Sequence, residues 1–264
     1  MNPLWWSLFL VGAASGVVAG FLAGLLGIGG GLIIVPVLSF ALIEWSPEYN
    51  MHLALGTSLA SIVITSMASV WAHHRRQAVH WPVVLQLTPG LLLGSVLAGA
   101  LSARINVDIL SMIFAVFCLL VAASFWWQAP RAERSMPVMP IQFIAGSLIG
   151  SVSALVGIGG GSMMVPWLSW HAMRVQHAIA TSAACGLPIA VAATIGYLVA
   201  GQSVENLPSG SLGFVYLPAL MGIGVTSVLM APMGARLAHR LPRESLQRIF
   251  SGLLLLLAAY MFWR

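Results

Sequence analysis

Apolar residues run along this chain in blocks, without the alternation of a half-buried strand. Blocks of about 20 residues, the length a helix needs to cross about 30 Å of hydrocarbon, stand at 53–72, 82–103, 109–127, 178–200, 212–235 and 246–263. Two longer blocks, 4–43 and 141–172, each carry the pentapeptide GIGGG, at 27–31 and at 157–161. Glycine costs a helix about 1 kcal/mol relative to alanine, so four glycines per copy predict a break. A proline follows each copy, Pro36 in one and Pro166 in the other.

The order of blocks repeats. GIGGG with its proline comes first in each half. ALGTS (54–58) then matches AIATS (178–182), and IFAVFCLLVAASFWW (113–127) matches IFSGLLLLLAAYMFW (249–263). Three landmarks recur in one order, about 124–136 residues apart, which predicts an internal duplication. The polar, proline-rich stretch WWQAPRAERSMPVMP (126–140) reads as the link between the copies.

Length constrains the interrupted blocks. As one helix, 141–172 would extend about 48 Å at 1.5 Å per residue, too long for the hydrocarbon core. As two crossings it fails too, because the arms on either side of the glycines reach only about 24 Å and 17 Å. A re-entrant hairpin with GIGGG at its tip fits. The longer first arm of the other copy, 4–26, is long enough to span, so charge has to decide between the models.

Composition makes charge decisive: 59% of the 264 residues are hydrophobic and only 6% charged, with a mean hydropathy of +0.97. Soluble domains carry roughly 25% charged residues, so most of the exterior faces lipid. All eleven basic residues are Arg. If each interrupted block crosses once, five arginines (Arg75, Arg76, Arg131, Arg134, Arg264) face six (Arg104, Arg174, Arg236, Arg240, Arg243, Arg248), which is no bias. If each block returns to its own side, Arg104 and Arg264 alone face away from the other nine, in company with Glu44, Glu48 and Glu205. That asymmetry is the one the positive-inside rule expects. It also accounts for the net charge of +5 without nucleic acid as a partner, since the arginines sit at the ends of apolar blocks.

The expected fold is an all-α polytopic membrane protein of two inverted repeats, each a glycine-tipped re-entrant hairpin plus three transmembrane helices. The repeats are 1–128 and 141–264, joined by a cytoplasmic linker at 129–140. The arginine-rich loops face the cytoplasm and both termini face outward. The first residues, MNPLWWSLFLVG, lack the basic n-region of a cleavable signal and read as part of the membrane domain.

Inverted repeats with interrupted helices are the architecture of secondary transporters, with the site near the midplane. Each glycine run leads into a helix start, where unpaired N–H groups and a partial positive charge favour an anion. Glycine adds positive φ and an unobstructed backbone. Gly29, Gly30 and Gly31 with Gly159, Gly160, Gly161 and Ser162 are therefore candidate substrate-binding residues. Close helix packing is the competing use of such glycines.

The paired hydroxyls Thr57/Ser58 and Thr181/Ser182, together with Ser61, are the next candidates. A bond back to their own helix is the alternative for each. His52 and His177, at block starts, read as interfacial. Cys118 and Cys185 read as small buried hydrophobes. No Asp or Glu lies well inside a block, which argues against cation transport. No catalytic group, metal or cofactor is expected: a hydrolase built on Ser162 would need an activating histidine at membrane depth, and none is present.

The doubled GIGGG…P segment, the A-[LI]-[GA]-T-S element and the 260-residue all-membrane length resemble the TauE/SafE sulfite exporter family, also called the 4-toluene sulfonate uptake permeases. The resemblance implies movement of a small sulfur-containing anion, sulfite or an organosulfonate such as sulfoacetate, across the bacterial inner membrane. It also implies that the two glycine runs with the residues that follow them, Thr57/Ser58 and Thr181/Ser182 line the substrate site. Ala180 departs from the pattern where the first copy has Gly56, an inequality that bears on the two sides of the site. A passive anion channel of the same architecture is the alternative function.

Overall fold

The computed structural model describes residues 3–26, 30–126, 135–171, 173–238 and 243–263. Gly27, Ile28 and Gly29, and half of the linker (129–134), lie outside the described residues, and with them the expectation placed on Gly29. Ten α-helices account for nearly all of the described chain. The first five are α1 (Pro3–Leu26), α2 (Gly31–Ala41), α3 (Asn50–Arg75), α4 (Trp81–Leu101) and α5 (Val107–Trp126). The second five are α6 (Met139–Val156), α7 (Gly161–Trp170), α8 (Val175–Gln202), α9 (Leu217–Ala238) and α10 (Arg243–Trp263).

Among the described residues, α3, α4 with the 3-10 turn that follows it, α5, α6 and α8 are long and apolar enough to cross a membrane. At 11 and 10 residues, α2 and α7 extend only about 15–17 Å and are half-helices. The fold is all-α and polytopic, and side chains such as Leu85 and Leu120, 68% and 65% exposed, face what composition requires to be lipid.

One block departs from expectation. Residues 212–216, apolar and read as the start of a span, form a small antiparallel hairpin of β1 (Ser211–Leu212) and β2 (Val215–Tyr216). Gly210 and Gly213, at φ 96° and 53°, take a left-handed conformation that suits glycine and breaks the helix that hydropathy alone predicts.

Close approaches at glycines fix the direction of each helix. A Cβ on Gly16 of α1 would lie 2.8 Å from Ile223 Cα of α9, and one on Gly20 would lie 2.5 Å from Ser227 Cα, so α1 and α9 run parallel. In the same way Gly146 and Gly150 of α6 meet the carbonyls of Leu87 and Leu91 of α4, at 2.8 and 2.6 Å. Near its start α9 bonds to Thr57 of α3, and further on Gly224 faces Ile64. The N–H of His80, just ahead of α4, bonds to Thr181 of α8, and Gly99 lies against Ala193. Thus α1, α3 and α9 run one way. The short link between α3 and α4 reverses the chain, so α4, α6 and α8 run the other way.

The half-helices point back along their neighbours. Gly31, at the start of α2, meets Ser58 of α3, while Ser39 near its end bonds to Asn50 at the start of α3. Numbering rises along α2 as it falls along α3, so the chain reverses between α1 and α2, and Gly30 packs back on Ala19 of α1. α7 behaves alike against α8: Gly159 and Gly160 at its head abut Gly186 and Ile189, and its tail leads straight to the start of α8. The protein interior is built around α3, which is buried continuously from Asn50 to Ile62. Two apolar clusters flank it. One gathers α2, α3 and α5 with α10, and the other gathers α4, α7 and α8.

Candidate functional site

The two glycine turns meet inside the bundle. Gly31, the first residue of α2, abuts the carbonyl oxygen of Gly157 so closely that no Cβ fits between them. Gly157 ends α6 in the left-handed conformation at φ 72°, and Gly160 caps α7 at φ 77°. A Cβ on Gly157 would stand 2.7 Å from Val35 of α2 and 2.9 Å from Leu55 of α3. Gly159 lies between Ile62 of α3, 2.9 Å from its Cβ position, and Gly186 of α8. The glycines therefore serve backbone-to-backbone contact at this crossing, and the head of each half-helix stands beside it.

The hydroxyls divide into two groups. Thr57 and Thr181 act as hooks. Thr57 Oγ1 accepts the N–H of Tyr216, immediately ahead of α9, at 2.9 Å, and Thr181 Oγ1 accepts the N–H of His80, immediately ahead of α4, at 3.0 Å. Each threonine ties the opposite half's helix start to the middle of the bundle. Their neighbours behave differently from one another. Ser58 Oγ donates to Gly157 O at 2.9 Å, linking α3 to the opposite tip, and Ser61 Oγ donates to Ser58 O at 2.6 Å within its own helix. Ser182 and Ser162 are the remainder: the Oγ of each is buried and has no hydrogen-bond partner among the described residues.

The histidines are structural ties. His52 Nε2–H donates to the carbonyls of Ser102 and Ile105, at 3.0 and 3.1 Å, and its ring packs 5.0 Å from that of Phe214. His177 Nδ1–H donates to Ala78 O at 2.9 Å. These ties also sort the loops. Residues 45–52, 102–106 and 203–216 gather at one end of the bundle, where Glu48 and Glu205 line a cleft of about 490 Å³ with Trp45 and Tyr49. At the other end, residues 73–80 join 171–181, and Arg75 lies 4.8 Å from the Trp71 ring centre. Gly56, where the second copy has Ala180, meets the Phe214 carbonyl and Tyr197 rather than a tip. That departure belongs to loop packing.

The family model described as "Sulfite exporter TauE/SafE" matches residues 12–261. The chain belongs to this family. A probable membrane transporter protein of Haemophilus influenzae is 36% identical over 251 residues, covering 94% of this chain and 95% of that one. A probable membrane transporter protein of Methanocaldococcus jannaschii is 25% identical, over 93% and 92% of the two chains. The similarly named YunE of Bacillus subtilis is 27% identical over 81% and 83%. No solved structure matches the chain. This TauE/SafE chain is accordingly a membrane transporter and not an enzyme.

For a TauE/SafE transporter the crossing offers neutral donors only. The chain contains no Lys, and every described arginine lies in a loop or near a helix end. The first amides of a helix lack intrahelical partners. Gly160 O accepts the earliest bonds of α7, from Met163 and Met164 at 3.2 and 2.8 Å, which leaves the N–H groups of Gly161 and Ser162 ahead of them. The sequence offered the tips and their serines as candidates, but carried no sign of the threonine hooks. The partner of Thr57 is 159 residues away.

Proposed function

We propose that this TauE/SafE protein is a secondary transporter that carries a small sulfur-containing anion, sulfite or an organosulfonate, across the bacterial inner membrane and holds it at the apposed glycine tips. One observation carries the proposal: Gly31, the head of α2, lies against Gly157, which opens the glycine turn leading from α6 into α7. A helix head favours an anion through its free N–H groups and dipole, and it does so without adding a buried charge.

The opposed directions of α1, α3, α9 and α4, α6, α8 support the arrangement as two inverted repeats, 1–128 and 141–264, with re-entrant hairpins. Inverted repeats around a midplane site are the basis of alternating access. The end holding Arg75, Arg76 and Arg174 faces the cytoplasm in this reading, and the cleft end with Glu48 and Glu205 faces outward, following the positive-inside rule. Both termini then lie outward.

Counterflow in proteoliposomes tests the carrier. Labelled sulfite is expected to enter faster when vesicles are preloaded with unlabelled sulfite, and to saturate. Unitary conductance without counterflow would replace the carrier by a channel, and the absence of any sulfite or sulfonate flux would remove the assignment.

A further inference from the structure

The hydroxyls around the tips are not used equally. On the N-terminal side each is occupied: Thr57 by Tyr216, Ser58 by Gly157 and Ser61 by its own helix. On the C-terminal side Thr181 is occupied by His80, but the hydroxyl oxygens of Ser162, a half-buried residue, and of Ser182, a buried one, are shielded and have no partner among the described residues. Ser182 is only 2% exposed. It holds in α8 the register that Ser58 holds in α3, where the hydroxyl lies 3.1 Å from the Cβ position of the first residue of α2. One turn further along α8, on the same face, Gly186 abuts the carbonyl of Gly159. Ser162 is the second residue of α7. A buried hydroxyl without a partner is disfavoured, and two of them, one in the first turn of α7 and one on the face of α8 that meets the glycine turn ahead of it, mark a place prepared for an acceptor.

The surroundings determine what charge that acceptor carries. Gly160 is walled by Ile189, Ile149 and Ser153, and Gly159 by Ile62. No cationic side chain is among these neighbours. The desolvation cost of a buried ion grows with the square of its charge, while its attraction to neutral donors grows only linearly. A site of this kind therefore favours one negative charge over two.

We propose that the head of α7 is a one-sided binding site for the –SO3 group of a singly charged sulfonate or of hydrogen sulfite, with Ser162 Oγ, Ser182 Oγ and the first-turn amides as donors, and that it rejects doubly charged oxyanions. This rests on the transport reading above and narrows it. Sulfate and the doubly charged form of sulfite are excluded, and so is sulfoacetate, whose carboxylate adds a second charge.

The test is ligand binding by the purified full-length protein, followed by thermal shift and calorimetry with methanesulfonate, sulfite and sulfate. Methanesulfonate is expected to bind equally at about pH 6 and about pH 8, and sulfite to weaken roughly five- to tenfold over that interval as it loses its proton. Sulfate should bind at least about tenfold more weakly than methanesulfonate. Ser162→Ala and Ser182→Ala should each weaken methanesulfonate by roughly tenfold or more, and Ser182→Thr should restore part of the loss. Ser95→Ala, which removes another unpartnered buried hydroxyl, beside Gly150 of α6 and outside the proposed donor set, should leave methanesulfonate binding unchanged. Sulfate binding as tightly as methanesulfonate, or undiminished binding in both serine variants, overturns the one-sided site and leaves the transport reading in place. An unmodified protein that binds none of the three ligands overturns the transport reading itself. The comparison of ligands on the unmodified protein decides the charge rule even where a variant fails to fold.

Discussion

The two half-helices that follow the GIGGG runs, α2 and α7, share a motif and differ in almost everything the motif touches. In α2, residues 31–36 together with Leu38 and Ser39 are all buried, whereas in α7 only Met164 and Leu168 are. The capping glycines have opposite hands: Gly30 at φ −77° is right-handed, and Gly160 at φ 77° is left-handed. α10 reaches α2, with Phe40 and Tyr260 in edge contact at 6.2 Å between ring centres. α2 is thus built into the core while α7 borders it, and the unpartnered Ser162 belongs to the second.

The sharpest test of this contrast is Gly31→Ala. Its methyl group would collide with the Gly157 carbonyl, a backbone atom that cannot rotate away. A loss of about 3 kcal/mol in thermal or denaturant unfolding, with transport abolished, is expected from overpacking at a fixed contact. Gly159→Ala meets a single side-chain atom, the γ2 methyl of Ile62 at 2.9 Å, rather than backbone, and a smaller loss of about 1–2 kcal/mol is expected. Equal losses would mean that the tips are not in contact as described.

The capping glycines come next. Gly160→Ala forces a left-handed alanine, at about 1–2 kcal/mol, and adds pressure on Ile189. Gly30→Ala keeps an ordinary φ and meets Ala19 Cβ at 3.0 Å, so a loss of about 1 kcal/mol or less is expected. Unfolding measurements that reverse this order would show that the handedness difference is not real.

The threonine hooks carry the contrast into the loops. Thr57→Val strands the N–H of Tyr216, a fully buried residue, whereas Thr181→Val leaves the N–H of His80, an exposed residue, within reach of water. Losses of about 2 kcal/mol for the first and about 0.5–1 kcal/mol for the second follow from the cost of a buried unpaired donor. The same unfolding assay decides it.

These differences also show where sequence reasoning stopped. Block lengths, hydropathy and the glycine breaks were enough for the all-α, polytopic character of the chain, because each is a local or compositional property. The hairpin at 211–216 was hidden because hydropathy registers Leu212 and Phe214 but not the backbone conformation of Gly210 and Gly213. The hooks were hidden because a threonine at membrane depth looks the same whether it holds a ligand or a distant amide. Ser58 and Ser182 stand in matched pentapeptides, so no pattern within them could tell the bonded hydroxyl from the unbonded one.

That last pair gives the smallest effect and the most informative one. Ser58→Ala removes the bond to Gly157 O and leaves that carbonyl unpaired, so a loss of about 1–2 kcal/mol is expected. Ser182→Ala removes a hydroxyl that has no partner, so stability should hold within about 0.5 kcal/mol or rise slightly. Ligand response is expected in the opposite order: methanesulfonate should still stabilise Ser58→Ala against heat, since binding to the folded state shifts apparent stability, and should hardly stabilise Ser182→Ala. A single unfolding series with and without methanesulfonate reads both quantities. If the two variants lose stability and ligand response in equal measure, the hairpins are functionally alike and their unequal burial has no bearing on binding.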